Sequence, residues 1–154
     1  MKAYRLSRAV YANDLSGKGS SFKGARWNSI GIELIYTAES RALAMAEVMV
    51  HFALAMAPRD YMMVILEFPD DLKRQLISVD MLPKNWNVFP YLSSTQTIGD
   101  SFVRENQFPI LRVPSAVVPG DFNLLLNPHH PEFGKITIQK TEKFPFDSRI
   151  FHSP

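Results

Sequence analysis

Glu47 is the side chain in this sequence whose position most needs a reason. It stands inside Ala42–Ala57, a run of Ala, Met, Leu, Val and Phe interrupted only by Glu47 and His51. A carboxylate among apolar neighbours costs on the order of several kcal/mol unless it is paired or hydrogen-bonded. It can emerge on a narrow polar stripe, pair with an arginine, or face a pocket that uses its charge. His51, one helical turn later, shares its face and can form a simple side-chain pair with it. The second His of a His-Glu-x-x-His zinc motif is absent, and His129-His130 reads as a loop pair on the surface. No metal site is expected.

A second group of chemistry-bearing residues lies in the polar, Gly/Ser-rich stretch 14–31. Gly19 and Gly24 have the spacing of a phosphate loop, but Ala25-Arg26 stands where the Lys-Ser/Thr pair should be, and no strand immediately precedes it. A nucleotide-triphosphatase loop is therefore excluded. Lys18, Lys23 and Arg26 remain, suited to holding a phosphate or pyrophosphate through charge-assisted bonds. Residues 1–30 carry six Lys and Arg against Asp14 alone, on an otherwise slightly acidic chain. That asymmetry favours a local anion site over a nucleic-acid-coating surface. Ser115 lies between Pro114 and Pro119 in an apolar stretch. Without Gly-x-Ser-x-Gly or a His–Asp arrangement nearby, it is a turn hydroxyl or a hydrogen-bonding group, not a nucleophile.

These residues must be positioned by one domain, 1–154, since 154 residues fit a single compact unit and 46% hydrophobic residues exclude a disordered chain. The absence of cysteine rules out disulfides, Cys-ligated metals and a cysteine nucleophile. The strongest expected element is a helix over Ser40–Ala57, capped by Thr37 or Ser40, stopped by Pro58 and apolar enough to be buried against a sheet. Strands are expected at Ile32–Tyr36, Tyr61–Phe68, Leu76–Val79, Ile110–Val113, Ala116–Val118, Phe122–Leu126 and Lys135–Lys140, with a second helix over Ile98–Asn106. One early helix and many later strands predict an α+β fold with a mixed or antiparallel sheet around one long buried helix. Neither an export signal nor a stretch of the roughly 20 apolar residues needed for a membrane span is visible. A cytoplasmic protein is expected.

Taken in order, the segments resemble the RES-domain family, the toxin half of a class of bacterial toxin–antitoxin pairs. Gly24-Ala25-Arg26-Trp27-Asn28 resembles its Gly-Gly-Arg-Trp-Asn signature, with Ala25 in place of the second Gly. Leu34-Ile35-Tyr36-Thr37-Ala38, Ala46-Glu47-Val48, Leu82-Pro83 with Trp86, Ile98-Gly99-Asp100, Val113-Pro114-Ser115, Asn123 to His129 and Phe146-Asp147-Ser148-Arg149 continue the match. Phe102 stands where many members carry Trp. The resemblance implies an ADP-ribosyltransferase-like fold and an enzyme that consumes NAD+, as substrate and with no further cofactor, by cleaving the nicotinamide–ribose bond. It makes Arg26, Glu47 and Ser115 the signature trio. Arg26, with Arg5, would hold the pyrophosphate, Tyr36 would stack on nicotinamide or ribose, and Ser115 would offer a hydrogen bond. It further implies a helix-turn-helix-type antitoxin as partner, through which alone nucleic acid is engaged. A glycohydrolase, a phosphorylase and an ADP-ribosyltransferase acting on a protein all fit these residues. A nucleic-acid-acting toxin or binding module is the reading from a different class.

Overall fold

The computed structural model describes residues 1–52 and 59–151. It is an α+β fold built on one seven-stranded sheet. In chain order the elements are β1 (Lys2–Arg8), α1 (Lys18–Lys23), β2 (Ile35–Ala38), α2 (Arg41–Met49), β3 (Tyr61–Glu67), β4 (Arg74–Leu76), α3 (Ser93–Glu105), β5 (Ile110–Pro114), β6 (Phe122–Leu126) and β7 (Thr137–Lys143). The sheet order is β4-β5-β6-β2-β1-β3-β7. Among the described residues only β4 and β5 run parallel, and every other pair is antiparallel.

The expected mixed sheet is present, with several elements displaced. β1 was not expected, yet it lies inside the sheet between β2 and β3 and pairs with β3 along its whole length. Ala116–Val118 is not a strand: it belongs to the turn joining β5 to β6, where Pro119 and Gly120, at φ 95°, reverse the chain. The β4, β2 and β7 strands are shifted from the expected bounds, and α3 begins at Ser93 instead of Ile98.

The helix expected over Ser40–Ala57 is regular only from Arg41 to Met49, and 53–57 lie outside the described residues. Ser40 is its cap, Oγ accepting from Leu43 N at 3.1 Å, while Thr37 Oγ1 instead donates to Leu124 O across the sheet. Of α2, Leu43 and Ala44 are buried. The face carrying Glu47 borders a cavity, so apolar composition did not translate into burial all round.

Side-chain alternation along the strands explains where the site forms. On one face Ala3, Ile35, Val64, Leu66, Ile110, Leu124 and Leu126 pack into a single core. The other face carries two separate clusters. Leu111, Val113 and Leu125 pack with Trp27, Trp86 and Phe102, whereas Leu6, Ala38, Met63 and Ile65 pack under Leu43 and Ala44 of α2. A cleft runs between them. It deepens where β1 and β2 part, for these central neighbours are joined at a single register position, Tyr4 opposite Ala38.

Candidate active site in the central cleft

Three cavities line the cleft. The smallest, about 230 Å³, opens where β1 and β2 diverge and includes Tyr4, Arg5, Tyr36, Glu47, His51 and Asn123. A second, of about 490 Å³, shares Tyr36, Glu47, His51 and Asn123 and is walled by Arg26, Trp27, Phe89 and Tyr91. A third, also about 490 Å³, continues from Arg5 and Tyr36 to Tyr11, Gly17, Lys18 and Phe22.

Glu47 stands at the junction of the first two. Its Oε1 accepts from Ser115 Oγ at 2.7 Å and from Asn123 Nδ2 at 2.6 Å. Among the described residues no arginine pairs with it, and Oε2 has no protein partner. The Ser115 hydroxyl is itself fully engaged: it donates to Glu47 and accepts from Val117 N and Val118 N, both at 3.0 Å. Ser115 is 3% exposed and does not line the cavities, so it sits behind Glu47 and fixes the carboxylate. His51 lines both cavities without a hydrogen bond to Glu47.

Asn123 was not singled out by sequence reasoning. Its signal was there, a lone amide in the apolar strand Phe122–Leu126, at a position whose alternation places it on the face of Tyr36 and Ala38.

Tyr36 borders all three cavities. Its hydroxyl donates to Asn28 Oδ1 at 2.7 Å and accepts from Trp27 N at 3.1 Å, which fixes the ring. Burial holds this phenol above its ordinary pKa. Asn28, wholly buried, uses its amide to hold Ser20 O and Ile32 O. The signature loop is clamped to α3 as well: Asp100 Oδ1 accepts from Ser29 N at 2.9 Å, and Gln96 Nε2 donates to Ala25 O. A Cβ at Gly99 would fall 1.7 Å from Trp27 O, so this close approach requires glycine. Phe102 keeps the aromatic contact, buried in the cluster that holds Trp27.

The two arginines of the cleft differ. Arg5 Nη1 donates to Asp14 O at 2.5 Å, and among the described residues its remaining donors have no protein partner. Burial lowers its pKa, opposed by Asp14. Arg26 is heavily bonded: Nη1 donates to Trp86 O at 2.7 Å and Val88 O at 3.1 Å, and Nη2 to Asn87 O at 3.4 Å. Its guanidinium also lies over the rings of Trp86 and Tyr91. Burial again lowers its pKa, while Glu47 pulls it upward. Among the described residues no cluster of three His, Cys, Asp or Glu is arranged to hold a metal.

A carboxylate held by one oxygen in a cleft with a partly free cation can stabilise a cation on a bound sugar while anchoring an anionic tail. The comparisons with known proteins identify the family. The family model described as RES domain matches residues 2–147. The "Prs ADP-ribosylating toxin" of Sphingobium sp. (strain YBL2) is 34% identical over 94% of this chain and 91% of its own. A "Toxin Res" from Photorhabdus laumondii is also 34% identical, over 97% of both chains. A chain of the M. tuberculosis MbcT-MbcA toxin–antitoxin complex shares the fold, with a TM-score of 0.72 at 20% identity, covering 93% of this chain and 83% of that one.

Proposed function

The chain belongs to the RES-domain family, and on that premise we propose that it is a toxin of a toxin–antitoxin pair that cleaves the nicotinamide–ribose bond of NAD+. The observation that carries this reading is Glu47, held by Ser115 and Asn123 through Oε1 while Oε2 is left for a ligand. When the C1′–N bond breaks, its electron pair leaves with neutral nicotinamide and the ribose becomes an oxocarbenium ion. Glu47 Oε2 holds a ribose hydroxyl and offsets that positive charge in a site where preorganised groups need little rearrangement. The acceptor then adds at C1′ and loses its proton.

Arg5 is the better placed of the two arginines for the diphosphate, since it has donors available and lines both the first and third cavities. The adenosine would extend past it toward Tyr11 and Phe22. Tyr36 supplies a fixed ring face for nicotinamide or ribose. Neither a cofactor nor a metal takes part in these steps.

The partner is a helix-turn-helix-type antitoxin covering the cleft. Tyr11, Phe22, Val50 and Phe89 expose apolar surface along the cavities and suit such a contact. No helix among the described residues is long and apolar enough to cross a membrane; a cytoplasmic location, where NAD+ is available, is part of the proposal. Transfer of ADP-ribose to a protein is the second reading, favoured by the name of the Sphingobium relative.

Incubating the protein with NAD+, with and without phosphate or cell lysate, and separating the products decides among them. Free ADP-ribose means hydrolysis, ADP-ribose-1″-phosphate means phosphorolysis, and labelled protein means transfer. NAD+ left intact under all conditions overturns the enzymatic reading.

A further inference from the structure

We propose that Arg26 is a positioning residue on the acceptor side of the cleft: it pins residues 86–91 as the wall of the cavity beside Glu47 and does not grip the diphosphate. The inference rests on the reaction proposed above, in which the ribose lies at Glu47.

Three observations converge. First, one guanidinium donates to three successive backbone carbonyls, those of Trp86, Asn87 and Val88, and lies over two rings of the same segment, with Cζ 6.0 Å from the Trp86 centroid and 5.5 Å from that of Tyr91. A planar fork with several fixed donors can gather these groups at once, which a lysine ammonium on a flexible stem cannot reproduce.

Second, the anchor is rigid whereas the segment it holds is exposed. Arg26 stands on a loop tied down through Ala25, Asn28, Ser29 and the Gly99 contact. Within the held segment Phe89 is 75% exposed. Such a protruding, half-solvated wall needs an external tether to keep one position.

Third, the two arginines line different cavities that each border Glu47. Arg5 lines the first and third cavities and not the second; Arg26 lines the second alone. A diphosphate joined to the ribose extends toward one of them. Arg5 has open donors, whereas the bonds already made by Arg26 would have to break. The second cavity is then left for the group that attacks C1′, and Arg26 keeps that approach shaped.

The test combines hydrogen exchange with binding and kinetics. In the wild-type protein without ligand, the bonded amides of Trp86 and Val88 should exchange more slowly than their exposed neighbours in residues 84–92; Arg26→Ala should accelerate them by about tenfold or more, the equivalent of one lost charge-assisted bond. Arg26→Lys should resemble Ala rather than wild type. NAD+ affinity is measured in a Glu47→Gln background, where turnover is slowed by about 10²–10³ and binding is read before appreciable cleavage. Adding Arg26→Ala should change it by less than about threefold, while adding Arg5→Ala should weaken it by about tenfold or more. In the Glu47 protein, Arg26→Ala should lower kcat with KM for NAD+ nearly constant. Unchanged exchange at 84–92, or an affinity loss matching that of Arg5→Ala, overturns the proposal. Should Arg26→Ala fail to fold, Arg26→Lys carries both measurements. If no Glu47→Gln protein binds NAD+, the NAD+ reading falls, and the exchange result still decides whether Arg26 holds the wall.

Discussion

Replacing Ser115 by Ala separates a residue that acts on Glu47 from one that touches substrate. The hydroxyl makes three bonds, one donated to Glu47 Oε1 and two accepted from Val117 N and Val118 N. A bond to a charged group is worth roughly 1.5–3 kcal/mol, and at about 1.36 kcal/mol per factor of ten its loss from the transition state lowers kcat roughly 10- to 150-fold. KM for NAD+ should stay nearly constant, because the hydroxyl lies behind the carboxylate. The two backbone N–H groups lose their acceptor, but Val117 and Val118 are only half-buried and can reach water. A net stability loss of about 1–3 kcal/mol follows, a fall of several degrees in Tm for a domain of this size. Initial rates of NAD+ loss with thermal melts on the same samples provide the data, and the decisive comparison is a double-mutant cycle with Glu47→Gln. With the carboxylate gone, Ser115→Ala should change the residual rate by no more than about twofold. A raised KM with normal kcat, or the full effect persisting in the Glu47→Gln background, refutes the reasoning.

Glu47→Gln alone should leave a folded protein whose NAD+ cleavage drops by about 10²–10³, since one preorganised electrostatic partner is lost; near wild-type turnover would overturn the mechanism. Gly99→Ala should destabilise by about 1–3 kcal/mol or more, because the new Cβ meets the Trp27 carbonyl, a backbone atom that can move only with its loop; an unchanged denaturant midpoint would contradict the contact. Tyr36 gives a pH signature. Burial, the largest cause, raises its folded pKa above the ordinary 10.0, so its contribution to stability is complete below about 10 and is lost as the pH climbs toward the folded value. Tyr36→Phe should therefore lose less stability than wild type between pH 8 and 11 in paired melts, whatever its stability at neutral pH; equal losses would count against it.

The parts of the site legible in the sequence were those whose chemistry conflicts with their surroundings. Glu47 is a charge in an apolar helix, and Ser115 a hydroxyl between prolines. Asn123 carried the same kind of signal more faintly. Arg26 was legible as a cation, but its partners are backbone carbonyls 60 to 62 residues away, and every residue type has a carbonyl. β1 was missed because Lys2–Arg8 mixes basic and small residues without clean alternation; the sheet, not local preference, makes it a strand. The helix was overextended because composition reports what a segment tolerates, whereas its end and exposure depend on the cleft it borders. The α+β class was legible, since it needs only the kinds of element and not their bounds.

The strand order has a consequence for the order in which the molecule can be made. Apart from the β5–β6 hairpin, sheet neighbours come from distant parts of the chain: β1 lies beside β3, β2 beside β6, and β3 beside β7. Such pairing delays folding until remote segments have met. Glu47 emerges from the ribosome early, but its two partners follow 68 and 76 residues later. During that interval the carboxylate has neither of its anchors, and the central position between β1 and β6 is held only by the short β2. At translation rates of about 5–20 residues per second, several seconds separate the synthesis of the charged residue from completion of its support. A nascent chain truncated before residue 123 therefore contains the signature arginine and the glutamate but not the assembled site.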